Sequence, residues 1–245
     1  STTTSAAILY DILRKISSQS DLSFELKNEN KLSLKSDNSD FNLLCLPTNN
    51  FPTFSDEFEG QGISLNNQKF LKLLNKTKIA ISNDDTRHYL NGIFLHLTEA
   101  HGKMFLTGVA TDSHRLSSSS LEIENSENFL PLILPRKTVY QLCSLLAESN
   151  EKLSMQTSEN KIKFSLGNIK LISKVIDGKF PDYKKVVPAN NDKSLTVPSK
   201  DFINSIERVT SVSLDRKEGV KLAINKENVQ LSVNSANSGE GNEII

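Results

Sequence analysis

The chain of 245 residues carries 29 basic and 29 acidic side chains, a formal net charge of zero, so it lacks the basic footprint of a free-standing, high-affinity nucleic-acid binder. Hydrophobic content is 37% with no tryptophan, which suits several small cores better than one large one. No stretch reaches 18 apolar residues and no charged-then-apolar leader is present, so no membrane helix is expected and a cytoplasmic location is.

The first predicted element is a helix over 5–16. Counted from Thr4, apolar residues fall at +5, +8, +9 and +12 as Leu9, Ile12, Leu13 and Ile16, one stripe on a helical surface. Strands follow near 22–26, 31–34 and 41–44, with Asn-rich turns between them. Residues 55–62 are polar and glycine-bearing and mark a boundary. A second helix spans 66–77; the same offsets from Leu65 give Phe70, Leu73, Leu74 and Thr77. Strands are expected near 88–97 and 103–110. From Leu134 the offsets give Val139, Leu142, Cys143 and Leu146 on a third helix, 136–147, ahead of strands near 152–156, 161–166 and 168–176. Residues 187–194 read as a second linker. A fourth helix over 199–210 carries Phe202, Ile206 and Val209, with Ser205 breaking the stripe, and a hairpin near 219–224 and 228–233 follows. Cys45 and Cys143 sit within apolar patterns rather than in paired spacing and read as reduced core thiols.

A unit of ~65 residues therefore recurs four times. Phe51-Pro52-Thr53-Phe54 and Phe180-Pro181-Asp182-Tyr183 lie 129 residues apart, Leu9 and Val139 130, and Phe70 and Phe202 132. Two half-units make one domain of ~130 residues. The predicted layout is the second half of one domain (1–58), a complete domain (59–189) and the first half of a third (190–245). The chain starts at Ser1 without a methionine, and a fragment is the expectation. A helix followed by strands on short turns implies an α+β architecture, antiparallel sheets with helices on one face.

Charge is unevenly distributed. Over 5–16, 66–78, 136–148 and 199–209 stand Arg14, Lys15, Lys69, Lys72, Lys76, Lys78, Arg136, Lys137, Lys200 and Arg208, against Asp11, Glu148, Asp201 and Glu207. The helices are thus net +6 in a neutral chain, and a shared helical face would attract phosphate.

The sharpest local motif is Gly108-Val-Ala-Thr-Asp-Ser-His-Arg-Leu-Ser117, directly after an apolar strand. Asp112, His114 and Arg115 admit three readings: acid–base chemistry of a hydrolase or transferase, a strand-end turn whose polar groups bond one another, or a recognition surface. No second carboxylate or nucleophile stands at a recognisable spacing. His88, His96, His101 and His114 show no metal-ligand pattern, and there is no glycine-rich phosphate loop. No metal or cofactor is expected.

Four segments carry a family resemblance: Arg87-His-Tyr-Leu-Asn-Gly92, Ala110-Thr-Asp-Ser-His-Arg-Leu116, Leu134-Pro-Arg-Lys137 and Ile176-Asp-Gly-Lys-Phe-Pro-Asp-Tyr183. In order and spacing they resemble the bacterial DNA polymerase III beta subunit, the sliding clamp, over the whole chain. The resemblance implies three domains of two half-repeats, the DNA-clamp fold, with helices on the inner face and sheets outside. It implies a non-catalytic processivity subunit that encircles double-stranded DNA as a homodimeric ring. Partners would be the DNA polymerase, clamp loader and repair proteins, docked through short linear motifs, with no membrane role.

By position in the matching segments, the duplex contacts implied are Arg14, Arg87, His88, Tyr89, Arg136 and Lys137. The peptide pocket implied is Leu90, Thr111, Ser113, His114, Arg115 and Leu116, with Pro181, Lys185 and Val186 facing them. Ser113 stands where the family often has glycine, His88 where it often has another aromatic residue, and Lys185 where arginine is common. The family's pocket also uses residues beyond the end of this chain. The ring joint pairs domains that are only half present here, so a monomer or an abnormal assembly is expected. A generic repeat-built interaction module without DNA is the third reading, and it requires basic residues scattered around the helices.

Overall fold

The computed structural model describes residues 1–28, 30–52, 58, 62–124, 129–214 and 218–245. They form two compact units, Ser1–Pro181 and Asp182–Ile245. Most of the boundary expected at 55–62, and the Thr53-Phe54 half of the first repeat marker, lie outside the described residues.

The first unit opens with a short strand, β1 (Thr3–Thr4), a helix, α1 (Ala6–Leu13), and three strands, β2 (Leu22–Asn28), β3 (Lys31–Ser36) and β4 (Ser39–Leu46). The sheet is antiparallel in the order β1-β4-β3-β2. Ser5 caps α1, its side-chain oxygen accepting from the Ile8 amide at 3.4 Å. Leu9 and Ile12 of the predicted stripe pack on Leu32, Leu43 and Cys45.

Residues 62–181 repeat one construction twice. The first copy is β5 (Ile63–Leu65), α2 (Asn67–Thr77), β6 (Gly92–Ala100), β7 (Lys103–Thr111) and β8 (Leu116–Glu122). The second is β9 (Leu132–Pro135), α3 (Arg136–Ala147), β10 (Leu153–Thr157), β11 (Lys161–Leu166) and β12 (Ile169–Lys174). Each leading strand joins the other copy's sheet. β5 pairs with β10 (Leu65 opposite Leu153) and β9 pairs with β6 (Leu134 opposite Ile93), giving sheets β12-β11-β10-β5 and β8-β7-β6-β9. All four positions predicted on α2 and all four on α3 are buried. The two helices pack on each other and share one core with both sheets, where the rings of Phe70 and Phe164 lie 6.1 Å apart. Each such side chain contributes about 1.5–3 kcal/mol by leaving water.

The second unit holds α4 (Ser199–Val209), β13 (Lys221–Ile224), β14 (Val229–Ser235) and β15 (Gly239–Ile244), in a three-stranded antiparallel sheet. Phe202, Ile206 and Val209 pack with Leu231 and Val233. Ser205, the polar position in the stripe, is buried and donates to Glu243 Oε1 at 2.8 Å. Residues 188–198 form neither helix nor strand.

Three sequence expectations need correction. The strand expected from residue 88 begins at Gly92, because Asp85–Leu90 form a 3-10 helix capped by Asp84. β8, Leu-Ser-Ser-Ser-Ser-Leu-Glu, has none of the branched residues that signal a strand; pairing with β7 from Thr111 to Phe105 supplies its order instead. The expected hairpin gains β15, whose Gly-Glu-Gly-Asn-Glu-Ile run hides it. A Cβ at Gly241 would lie 2.7 Å from the Val209 carbonyl oxygen, so the close pass beneath α4 suits glycine.

Candidate functional site

The 84–90 segment, the 111–116 turn and the 176–181 segment of the first unit are bound to one another by side chains. Asp84 starts the first segment, its Oδ1 accepting from the Thr86 amide at 2.9 Å and the Thr86 hydroxyl at 2.6 Å. Those bonds, with the Arg87 guanidinium on Oδ2 at 2.9 Å, hold its carboxyl below the ordinary value. At Arg87 the backbone leaves helical geometry (φ −112°, ψ 58°). Arg87 Nη1 donates to Ser113 Oγ at 2.6 Å, and His88 Nε2 lies 3.2 Å from the Asp177 carbonyl oxygen. Leu90 is 2% exposed, and its carbonyl receives the Ser82 amide at 3.1 Å. Across from it Phe180 stacks on Phe94 with centroids 4.9 Å apart.

The 111–116 turn is built largely from its own polar groups. Asp112 Oδ1 accepts from the amides of His114 and Arg115, each at 3.0 Å, and Oδ2 from Arg115 Nε at 3.1 Å. Thr111 Oγ1 donates to the Arg115 carbonyl at 2.8 Å and accepts from the Ser113 amide at 3.1 Å. Burial alone would raise the Asp112 carboxyl, but the Arg115 and His114 amides and the Arg115 guanidinium together bring it below the ordinary value. A carboxylate so occupied is a poor proton acceptor, and the acid–base reading of Asp112, His114 and Arg115 gains no support. His114 and Arg115 stay exposed at the rim, Leu116 is half-buried and Pro181 is exposed.

Of the residues the resemblance places in the pocket, Lys185 and Val186 belong to the second unit. Lys185 ends the 3-10 helix Tyr183–Lys185, with its ammonium 3.4 Å from Asp182 Oδ2, and Val186 is 69% exposed.

The duplex candidates differ in their commitments. The helix expected over 5–16 ends at Leu13, and Arg14, its C-terminal cap, is exposed and paired with Asp11 at 2.8 Å. Arg136, the first residue of α3, donates through its backbone to the Asn91 carbonyl at 3.0 Å and through its guanidinium to Asn83. Lys137 is exposed. Tyr89 meets the His88 ring edge-on, centroids 5.9 Å apart. On α2, Lys69, Lys72 and Lys76 occupy the exposed face opposite Phe70, Leu73 and Leu74, and α2 contains no acidic residue. Sequence reasoning counted these lysines as charge without placing them in the site, and it missed the supporting Asn83, Asp84 and Asp177. Asp84 was legible as a helix cap in Asn-Asp-Asp-Thr; the Asp177 carbonyl was not. Among the described residues no three or more His, Cys, Asp or Glu could hold a metal ion.

The chain was compared with known proteins. Residues 1–55, 64–182 and 184–245 match, respectively, the family models for the N-terminal, central and C-terminal domains of the DNA polymerase III beta subunit. The beta sliding clamp of Caulobacter vibrioides is 35% identical over 245 residues, covering 99% of this chain and 66% of that protein. That of Escherichia coli is 31% identical over 244 residues, covering 100% and 65%. Among solved structures, the Caulobacter crescentus beta sliding clamp with bound polyethylene glycol aligns with a TM-score of 0.95 at 34% identity, over 100% of this chain and 65% of that one. A Bartonella birtlesii sliding clamp bound to griselimycin gives 0.94 at 37% identity, over 100% and 66%. The chain thus spans about two thirds of the length of these relatives.

Proposed function

The chain belongs to the DNA polymerase III beta subunit family, and on that footing we propose that it acts as a DNA sliding clamp. It is a non-catalytic cytoplasmic processivity subunit that docks partner proteins through a peptide pocket, and the intact subunit encircles duplex DNA as a dimeric ring. The domain layout we propose is 1–58, 59–189 and 190–245. The observation that carries the reading is the exposed side of α2 and α3. Their apolar stripes are spent on the core, and the opposite faces present Lys69, Lys72, Lys76 and Lys137 with no acid on either helix. Such a surface contacts phosphates weakly and without regard to sequence, and topology rather than affinity supplies the residence time. Arg136, Arg87, His88, Tyr89 and Arg14 are proposed as further duplex contacts.

The pocket proposed within the first unit is Leu90, Thr111, Ser113, His114, Arg115, Leu116 and Pro181; Lys185 and Val186, in the second unit, are proposed for it on the family resemblance alone. A pre-bonded polar turn beside apolar Leu116 suits a short peptide with apolar anchors, where a few polar groups fix orientation. Anchors gain from burial, and a turn already in place pays little ordering entropy.

Titrating a labelled short duplex with the chain at several salt concentrations tests the duplex reading. Weak, sequence-independent binding that falls with salt is expected, with Kd on the order of 10⁻⁴–10⁻⁶ M. Lys69→Glu with Lys72→Glu should abolish it. Binding that depends on sequence, or that survives the charge reversal, would contradict the reading.

A further inference from the structure

We infer that Ser113 is a positioning residue for the pocket: its hydroxyl holds Arg87 and so fixes the 111–116 turn against the 84–90 segment in the form that receives a peptide. The inference rests on the docking reading above and adds a residue role to it.

Ser113 adopts φ +76°, a backbone region that side chains other than glycine, asparagine and aspartate enter at a cost. Its Oγ is at the same time the acceptor for Arg87 Nη1 at 2.6 Å. A glycine would relieve the strain and remove the acceptor, so the two properties of the position can be separated by substitution.

The rest of the turn is self-contained. Among the described residues, the side chains of Asp112 and Thr111 bond to groups within residues 111–115. Among the described residues, the side-chain hydrogen bond joining this turn to the 84–90 segment is the one from Arg87 to Ser113. The guanidinium is anchored at its other edge by Asp84 Oδ2, 2.9 Å from Nε, so a planar donor spans two segments with both edges occupied. The next residue continues the linkage, with His88 Nε2 against the Asp177 carbonyl and Gly178 packed beside Tyr89. Sequential residues thus tie the turn and the 176–181 segment to one short element. Releasing Arg87 from Ser113 leaves the turn with its internal bonds but without its register against Leu90. Lost pre-organisation of this kind appears as lost peptide affinity.

The test compares the chain with its Ser113→Gly and Ser113→Asn variants. Asparagine tolerates positive φ and keeps an acceptor within reach of Arg87. Each protein is titrated by fluorescence anisotropy with a labelled peptide carrying glutamine at one end and a Leu-Phe anchor at the other. The Arg87 Nη–H signal, from the group that donates to Ser113, is recorded by low-temperature NMR without peptide. Ser113→Gly should bind roughly three- to tenfold more weakly, although relief of strain leaves its melting temperature equal to or above that of the parent. Ser113→Asn should bind within about twofold of it. Protection of the Arg87 Nη–H signal from exchange should fall in the glycine variant and persist in the asparagine variant.

If Ser113→Gly binds as tightly as the parent, or if Arg87 protection is the same in all three proteins, the positioning role is wrong. If Arg87 protection follows the expected pattern and the parent binds no peptide, the docking reading is what has failed, and the role falls with it.

Discussion

Helix α2 buries Phe70, Leu73, Leu74 and Thr77, whereas α1, with apolar residues at the same offsets, buries its side chains only in part. The two helices differ in what lies across from them. In residues 62–181 two copies of the repeat face each other, exchange their leading strands β5 and β9, and enclose both helices in a common core. In residues 1–52 α1 packs Leu9 and Ile12 on a small cluster, Leu32, Leu43 and Cys45, while Leu22, Phe24 and Leu26 of β2 and Leu44 of β4 remain exposed, Leu44 at 84%. An apolar stripe chooses which face of a helix turns inward. The second copy decides how deeply that face is buried, and burial sets the energy.

The contrast can be broken at its strongest point. Phe70→Ala opens a cavity between two helices and two sheets and should cost about 3–5 kcal/mol in urea denaturation. A cost below about 1 kcal/mol would mean that the paired copies do not form a close-packed core. The strand exchange is probed by Gly92→Ala, because an added Cβ would fall on the Leu134 carbonyl oxygen of β9, a backbone atom with little freedom to yield. About 1–3 kcal/mol should be lost, with faster amide exchange across the β6–β9 pairing. Unchanged exchange there would show that the two strands absorb the side chain.

Leu9→Ala removes the same kind of contact from α1 and should cost about 1 kcal/mol or less. A penalty equal to that of Phe70→Ala would erase the distinction between the two regions. The smallest effect expected is an acid one. The Asp112 carboxyl lies below its ordinary 3.8 in the folded turn, so its contribution to the turn is present above that value and lost as pH falls through the lowered one. The His114 and Arg115 amide resonances should therefore titrate together with a midpoint below 3.8, and Asp112→Asn should remove the step. A midpoint at or above 3.8 would mean that the carboxylate is not held by those amides.

The repeat was legible because α2 and α3 are amphipathic and their buried positions answer to one spacing, Phe70 to Thr77 and Val139 to Leu146. The strands that lock the copies together were not, since β5 and β9 are three and four residues long and carry too little pattern for a period of two to register. β8 and β15 escaped for the related reason that their order comes from a neighbour's backbone rather than from their own side chains. In the candidate site, the motif around Asp112 was visible, but the partners of its carboxylate appear only in the folded turn. The carboxylate is taken up by the amides two and three residues on, a local bond that any Asp-X-X turn can make and that no spacing distinguishes from a catalytic acid. The link from Arg87 to Ser113 spans 26 positions and could only be seen folded.

Binding of a short peptide at the 111–116 turn tests the central claim most directly. Anisotropy of the labelled Gln-to-Leu-Phe peptide would be followed with the chain and with Arg115→Ala, whose side chain is 63% exposed and outside the core. Saturable binding, displaced by unlabelled peptide and weakened at least about fivefold by the substitution, is the expected result. No saturable binding, or binding indifferent to Arg115, would contradict the account of this turn as a docking site.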